Sequence, residues 1–199
     1  MFRRCYAVVT MSDRFCGFVL AAGAGTRFGG PKALVRTADG TPWIHRAVAA
    51  LRDGGCDDVL VGVGADADRA EVLVPADALP VRVSEWREGV AATLRAGLTA
   101  AAHTGADAVV VVTVDTPDLP SAAVGRLIAS SGAEASRVLL QATYDGVPGH
   151  PVVIGRDHWS AVAATVAGDA GARTYLRAHG AGVVECGDLW SGDDIDVPE

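Results

Sequence analysis

The sequence has few cysteines, fewer positive than negative charges and no long apolar run, and each of these features excludes a class of protein. The four cysteines, Cys5, Cys16, Cys56 and Cys186, show no C-x-x-C spacing, which argues against a zinc site or a disulfide framework and favours reduced thiols. No apolar run approaches the roughly 18 to 20 residues that span a bilayer. The net charge of −7 leaves no broad basic face for nucleic acid or an anionic membrane. We therefore expect a cytoplasmic protein that binds neither.

Length and composition indicate one folded domain. With 199 residues, half of them hydrophobic, the chain can bury a core and is not disordered as a whole. Near the N-terminus, Thr10, Ser12 and Asp13 interrupt the apolar stretch that a signal peptide needs. We predict an N-terminal extension over residues 1–15, a candidate for disorder, and a single domain over residues 16–199. Met1 and Met11 are both candidate translation starts.

Strand and helix patterns alternate along the chain. Apolar, β-branched runs predict strands over residues 17–22, 58–63, 81–84, 108–114, 137–142, 152–154 and 183–186. Helical patterns cover residues 43–52, 90–102, 158–166 and 172–179. This alternation predicts an α/β domain with a mostly parallel sheet. Since ligands bind at the carboxyl ends of parallel strands, the residues after the first strand and Asp115 should meet at one edge.

The strongest functional signal is a glycine-rich loop after the first predicted strand. Four glycines between residues 23 and 30 let the backbone approach a ligand closely, and free loop N–H groups bind anions. Arg27 supplies a planar fork and Lys32 a point charge. This pairing suits a polyphosphate and predicts a nucleotide site.

Two common nucleotide motifs do not fit this loop. The dinucleotide fingerprint G-x-G-x-x-G requires a glycine where Phe28 stands, and the P-loop requires a lysine where Pro31 stands. Both loops depend on fixed backbone geometry, so one misplaced residue counts against them. A surface loop with no ligand is the remaining structural alternative.

The pattern L-A-A-G-x-G-x-R-x-G-x-P-K, ending at Lys32, does fit a known signature. It resembles the nucleotidyltransferases with a molybdopterin-nucleotide-transferase-like fold. Further motifs follow in the same order: W-x-x-G-x-x-x-T-L-x-x-G-L from Trp86, D-T-P from Asp115, G-H-P from Gly149, G-D-A-G-A-R from Gly168 and D-I-D from Asp194. The G-H-P, G-D-A-G-A-R and D-I-D motifs are similar to the molybdenum cofactor cytidylyltransferase branch. The resemblance implies a three-layer Rossmann-like domain of the nucleotide-diphospho-sugar transferase type.

The same resemblance implies an activity. It is the Mg²⁺- or Mn²⁺-dependent transfer of CMP from CTP to the molybdenum cofactor, with release of pyrophosphate. The L-A-A-G and G-H-P motifs favour CTP over GTP, and a molybdoenzyme of the xanthine dehydrogenase type is a candidate partner. Two alternatives stay open: a guanylyltransferase or a transferase for a sugar phosphate or another small phosphate acceptor, and a non-catalytic module that binds and delivers nucleotide or cofactor.

Site residues follow from the matched motifs. The resemblance places the nucleotide against nine residues: Leu20, Ala21, Ala22, Gly23, Gly25, Thr26, Ser84, Gly89 and Thr93. Arg27, Lys32 and Asp115 form the expected catalytic set, with the two cations on the triphosphate. Surface salt bridges are the structural alternative for these cations.

Metal and acceptor residues complete the expected site. Asp115, at the end of a buried strand, is the first candidate for the metal, and Asp196 or Asp194 for the second carboxylate. His150, expected in a loop, and Arg173 are candidates for the acceptor. Asp118 is expected to cap the helix that begins near Ser121.

Overall fold

A seven-stranded sheet forms the centre of the protein, whose computed structural model describes residues 12–196. The strands are β1 (Phe15–Ala21), β2 (Asp58–Val63), β3 (Leu79–Arg82), β4 (Ala108–Thr113), β5 (Leu139–Tyr144), β6 (Val147–Gly155) and β7 (Gly182–Glu185). Their spatial order is β3-β2-β1-β4-β6-β5-β7, and only β6 runs antiparallel to its neighbours. The predicted α/β class with a mostly parallel sheet is confirmed.

Within residues 12–196, six α-helices cover the two faces of the sheet. They are α1 (Trp43–Asp53), α2 (Ala67–Glu71), α3 (Val90–Ala101), α4 (Ser121–Ser130), α5 (Arg156–Thr165) and α6 (Arg173–Ala178). Buried side chains of α1 and α4 share one apolar core with Val19 of β1, whereas those of α3, α5 and α6 share the other with Phe18. Because neighbouring strand residues point to opposite faces, β1 joins both cores and the domain has three layers.

Phe18 shows why some glycines of the sequence are fixed by packing. Its ring is fully buried, and burying a phenylalanine contributes roughly 1.5–3 kcal/mol. A Cβ on Gly62 would lie 2.9 Å from the ring, and one on Gly97 would collide with it. Gly97 of the W-x-x-G-x-x-x-T-L-x-x-G-L motif therefore lets α3 sit close to β1.

The region after β5 differs from the sequence-based expectation. Strand β6 is a nine-residue strand paired with both β5 and β4, where a loop and a strand over residues 152–154 were expected. Asp145 and Gly146 form the two-residue turn before it, both with positive φ, a geometry typical of tight hairpins. His150 consequently lies inside a strand, so its placement in a loop was wrong.

The start of α4 also differs from expectation. The helix begins after Pro120 without a side-chain cap, and the carboxylate of Asp118 instead lies 3.8 Å from the guanidinium of Arg46. The predicted capping role of Asp118 was therefore wrong.

The first strand begins close to the predicted start of the domain at residue 16. Strand β1 begins at Phe15, one residue before that boundary, while residues 1–11 of the predicted extension, and with them the choice between Met1 and Met11, lie outside the described residues. Within residues 12–196, no helix is both long and apolar enough to cross a membrane.

Candidate active site

The glycine-rich loop leaves β1 at its carboxyl end and closes on itself. The carbonyl of Gly25 accepts the N–H groups of Phe28, Gly29 and Gly30 at 2.9, 3.0 and 3.1 Å. Gly25 has a φ of +56°, and a Cβ there would collide with the carbonyl of Gly30. Only glycine fits this closure. Among the described residues, the N–H groups of Gly25 and Thr26 donate to no protein acceptor, so they are free to bind an anion.

Lys32 follows the loop and bridges two carboxylates. Its Nζ lies 2.9 Å from Oδ2 of Asp115 and 2.9 Å from Oδ1 of Asp196, and its side chain is 14% exposed. Burial lowers the pKa of Lys32, but the hydrogen bonds to Asp196 and Asp115 raise it more, so the net pKa lies above the ordinary value. The same ammonium holds the pKa of Asp196 below its usual range. Lys32 is therefore charged, and it is the only lysine in the sequence.

Three carboxylates meet beside this lysine. Asp115 follows the end of β4, and its carbonyl accepts the N–H of Ile195 at 2.9 Å, which holds the D-I-D segment against the strand. One ligand oxygen from each of Asp115, Asp194 and Asp196 lies within 4.8 Å of the others. Oδ1 of Asp115 is buried and has no partner among the described residues. Hard oxygen donors at this spacing fit a divalent cation, so both carboxylates that the sequence offered as alternatives join Asp115.

A cavity of about 580 Å³ lies over the glycine-rich loop. It is lined by all the predicted nucleotide and catalytic residues except Ser84: Leu20, Ala21, Ala22, Gly23, Gly25, Thr26, Arg27, Lys32, Gly89, Thr93 and Asp115, with Asp196. Ser84 lines neither this cavity nor the next, and its hydroxyl donates to the carboxylate of Glu85 at 2.6 Å. Nothing in the structure brings Ser84 to the site.

A second cavity of about 910 Å³ adjoins the first and contains both predicted acceptor residues, His150 and Arg173. Nδ1 of His150 donates to the carbonyl of Val111 at 3.2 Å, and the hydroxyl of Tyr144 donates to the carbonyl of His150 at 2.6 Å. Burial lowers the pKa of His150, and the bond to Val111 opposes this only in part. The imidazole is thus neutral near pH 7, with its Nε2 lone pair available as a hydrogen-bond acceptor.

The two cavities form one cleft with Asp115 at the junction. Asp115, Asp169 and Asp194 line both of them. Gly89, with a φ of +98°, lets the segment carrying Asp169 approach, because a Cβ on Gly89 would lie 2.7 Å from the carbonyl carbon of Gly168 and against the Asp169 carboxylate. A glycine-rich loop with free N–H groups on one side and a larger cavity on the other can therefore bring two ligands together at the carboxylates.

The comparison with known families agrees with this geometry. Residues 17–183 match the family model described as the MobA-like NTP transferase domain. The chain belongs to this family. As a MobA-like NTP transferase it is an enzyme of the nucleotidyltransferase type, which confirms the family, the fold class and the transferase class predicted from the motifs.

The chain is also similar to two curated proteins and to a solved structure. The chain is 37% identical over 200 residues to the nicotine blue oxidoreductase of Paenarthrobacter nicotinovorans, covering 92% of each chain. It is 36% identical over 148 residues to the molybdenum cofactor guanylyltransferase of Rhodobacter capsulatus, covering 74% of this chain and 67% of that protein. The crystal structure of Rv0371c from Mycobacterium tuberculosis H37Rv superposes with a TM-score of 0.77 at 25% identity, covering 94% of each chain.

Two side chains of the MobA-like site were not marked by the sequence. Arg87 lines the cavity over the glycine-rich loop, and its guanidinium lies 4.3 Å from the ring centre of Trp86, which makes a flat cationic surface there. Asp169 lies at the junction of the cavities. Arg87 occupies a variable position of its motif and Asp169 belongs to a motif from which only Arg173 was chosen, so only the folded geometry singles them out.

Proposed function

We propose that this enzyme transfers CMP from CTP to the phosphate of a molybdopterin-type acceptor and releases pyrophosphate. An oxygen of the acceptor phosphate attacks the α-phosphorus, and the bond to the β-phosphate oxygen breaks, so that pyrophosphate leaves with the bonding electron pair. The observation that carries the proposal is the continuous cleft in which Asp115 separates a phosphate-binding loop from a larger cavity. A cytoplasmic location and a molybdoenzyme of the xanthine dehydrogenase type as recipient of the product belong to the same proposal.

The glycine-rich loop binds the triphosphate in this proposal. The free N–H groups of Gly25 and Thr26 donate to phosphate oxygens, and Arg27 and Lys32 supply two positive charges from the same wall. These donors are fixed before the reaction, since Gly25 closes the loop in the protein alone. Preorganised donors of this kind stabilise the charge that develops on the leaving pyrophosphate.

Asp115, Asp194 and Asp196 would hold Mg²⁺ or Mn²⁺. The buried, unpartnered oxygen of Asp115 and the mutual spacing within 4.8 Å fit a hard divalent cation. Such a cation, when bound, neutralises negative charge on the phosphates. The protein contributes the orientation of these carboxylates, which the backbone bond from Ile195 to Asp115 provides.

The larger cavity would take the acceptor. Its volume lies within the range typical of small-molecule sites. Arg173 offers a guanidinium fork to the acceptor phosphate, while neutral His150 accepts a hydrogen bond from an N–H or O–H of the acceptor. This division of roles follows from the low pKa of His150, because a neutral imidazole adds little to phosphate binding.

The choice of CTP rests on the L-A-A-G and G-H-P motifs, whereas a curated relative is named a guanylyltransferase. Mass spectrometry of the acceptor after incubation with CTP or GTP decides between them. We expect the mass of the acceptor to rise by one CMP with CTP. A GMP adduct alone would keep the reaction class and refute the nucleotide.

A second candidate is an oxidoreductase, favoured by the 37% identity to the nicotine blue oxidoreductase. The loop argues against it, because Phe28 stands at the third glycine position of the dinucleotide fingerprint and packs edge-on against Trp43 at 5.7 Å. Oxidation of NADH or NADPH with a quinone-like dye as electron acceptor tests this candidate. Turnover there, without pyrophosphate release from any nucleotide, would replace our proposal.

A further inference from the structure

Lys32 stands where the proposed function requires two different things. Its ammonium lies 2.9 Å from oxygens of both Asp115 and Asp196, two of the three carboxylates that suit a divalent cation. The same side chain lines the nucleotide cavity, where it would contact the triphosphate. One ammonium has three N–H donors and a single positive charge, so contacts with the triphosphate compete with its contacts to the two carboxylates.

We propose that the ammonium of Lys32 is the resident cation of the three-aspartate cluster in the nucleotide-free protein, and that a triphosphate draws it away so that the metal binds together with the nucleotide. The inference rests on the proposed function, since it concerns the same site. It adds an order of binding: little free metal enters before the nucleotide.

Distances make the two cations competitors. Mg²⁺ binds carboxylate oxygens at about 2.1 Å, so a metal on either oxygen that Lys32 contacts would stand within about 5 Å of the ammonium. Two cations so close repel each other in a partly buried site. The metal therefore binds well only after Lys32 has left, or after anionic phosphates have neutralised it.

The structure also shows how Lys32 can move. Its side chain has several rotatable bonds and borders the open nucleotide cavity. Asp196 is 63% exposed and lies near the end of the described chain, whereas Asp115 is 20% exposed and fixed after β4. Lys32 thus exchanges one set of anionic partners for another, and Asp115 stays in place to receive the metal.

Titration of the nucleotide-free protein with Mn²⁺ tests this order, and the electron paramagnetic resonance signal of free Mn²⁺ measures how much metal stays unbound. We expect Lys32→Met to bind Mn²⁺ about tenfold or more tightly than the wild type, since two charge-assisted hydrogen bonds no longer have to be broken. Arg27→Met is the matched control, because it removes the same charge from the same loop. Arg27 forms no salt bridge with a carboxylate among the described residues and acts on Asp196 only at longer range, so its loss should change the affinity much less than Lys32→Met, by about threefold at most. An equal effect of the two variants, or none from Lys32→Met, overturns the inference.

The wild type provides an independent test, because its single lysine gives a single side-chain signal. In protein carrying ¹³C-labelled lysine, Mg²⁺ alone should leave the Lys32 resonance in place, and Mg²⁺ with a non-hydrolysable CTP analogue should shift it. A full shift with Mg²⁺ alone overturns the inference even if Lys32→Met does not fold. Pyrophosphate release by the wild type is a separate readout, so the failure of the proposed function and of this binding order can be told apart.

Discussion

Replacing Asp115 by asparagine should abolish most of the turnover while barely changing the stability. Asparagine keeps the shape of the side chain and one oxygen acceptor for Lys32, but it removes the charge at the junction of the two cavities. Lys32 also retains Asp196 as a partner at 2.9 Å. We therefore expect the free energy of unfolding to change by about 1 kcal/mol or less, which corresponds to a shift of roughly 2–4 °C in Tm for a domain of this size.

The effect on catalysis should be much larger. Removing one preorganised electrostatic group from a nucleotidyl-transfer site costs about 4 kcal/mol of transition-state stabilisation, or roughly a 10³-fold loss of kcat/KM. Pyrophosphate release measures this loss, and thermal unfolding of the same preparation measures the stability. The two numbers together separate a catalytic role from a structural one.

Asp118→Asn is the matched control for this prediction. Asp118 lies three residues further along, is exposed, lines neither cavity and faces Arg46 at 3.8 Å. We expect its turnover to stay within about twofold of the wild type, since exposed ion pairs contribute little. An Asp115→Asn protein that keeps turnover within about threefold of the wild type would refute the reasoning.

Three further predictions concern the fold and the larger cavity. Gly89→Ala should lower the free energy of unfolding by about 1–3 kcal/mol and reduce turnover, because the added Cβ meets the segment carrying Asp169. Gly132 also has a positive φ but open space around it, so Gly132→Ala should cost about 1 kcal/mol and leave turnover intact. Denaturant melts and pyrophosphate assays check both variants. Burial lowers the pKa of His150, so an NMR titration of its imidazole should have its midpoint below pH 6.5, and a midpoint at or above 6.5 contradicts this. Acidification through that range should destabilise the fold, because the unfolded chain takes up the proton more readily than the folded one. Burial raises the pKa of the Cys16 thiol to about 12 and also raises the pKa of the buried Cys56 thiol. Peptide mapping after alkylation of the native protein at pH 8 should therefore find both cysteines unlabelled. Labelling comparable to that of the unfolded chain would contradict their burial.

The sequence predicted the mostly parallel sheet and the grouping of the glycine-rich loop residues around one cavity because those signals are local. Apolar runs separated by helical patterns gave β1, β2 and β4, and the glycines and cations of the loop lie within a few residues of one another. Strand β6 was missed in part because Pro148 and Pro151 interrupt the usual strand pattern. Its pairing with β4 and β5 overrides that local signal, and it is this pairing that places His150 in the larger cavity.

Long-range contacts carry no local signal, and only the resemblance paired Asp115 with Asp196 or Asp194. The hydrogen bond from Ile195 to Asp115 joins residues that are far apart in the chain, and it decides that both Asp194 and Asp196 face Asp115. The bridge made by Lys32 likewise depends on two chain segments that meet only in the folded protein. A resemblance can name such partners, but the contacts themselves and the Lys32 bridge appear only in the tertiary structure.

Release of pyrophosphate by the wild-type protein tests the central claim most directly. It should be measured with Mg²⁺ and a purified molybdopterin acceptor, supplying CTP, GTP, ATP and UTP separately and omitting the acceptor in a parallel series. We predict release that requires the acceptor and is greatest with CTP. No release with any of the four nucleotides would contradict nucleotidyl transfer to this acceptor.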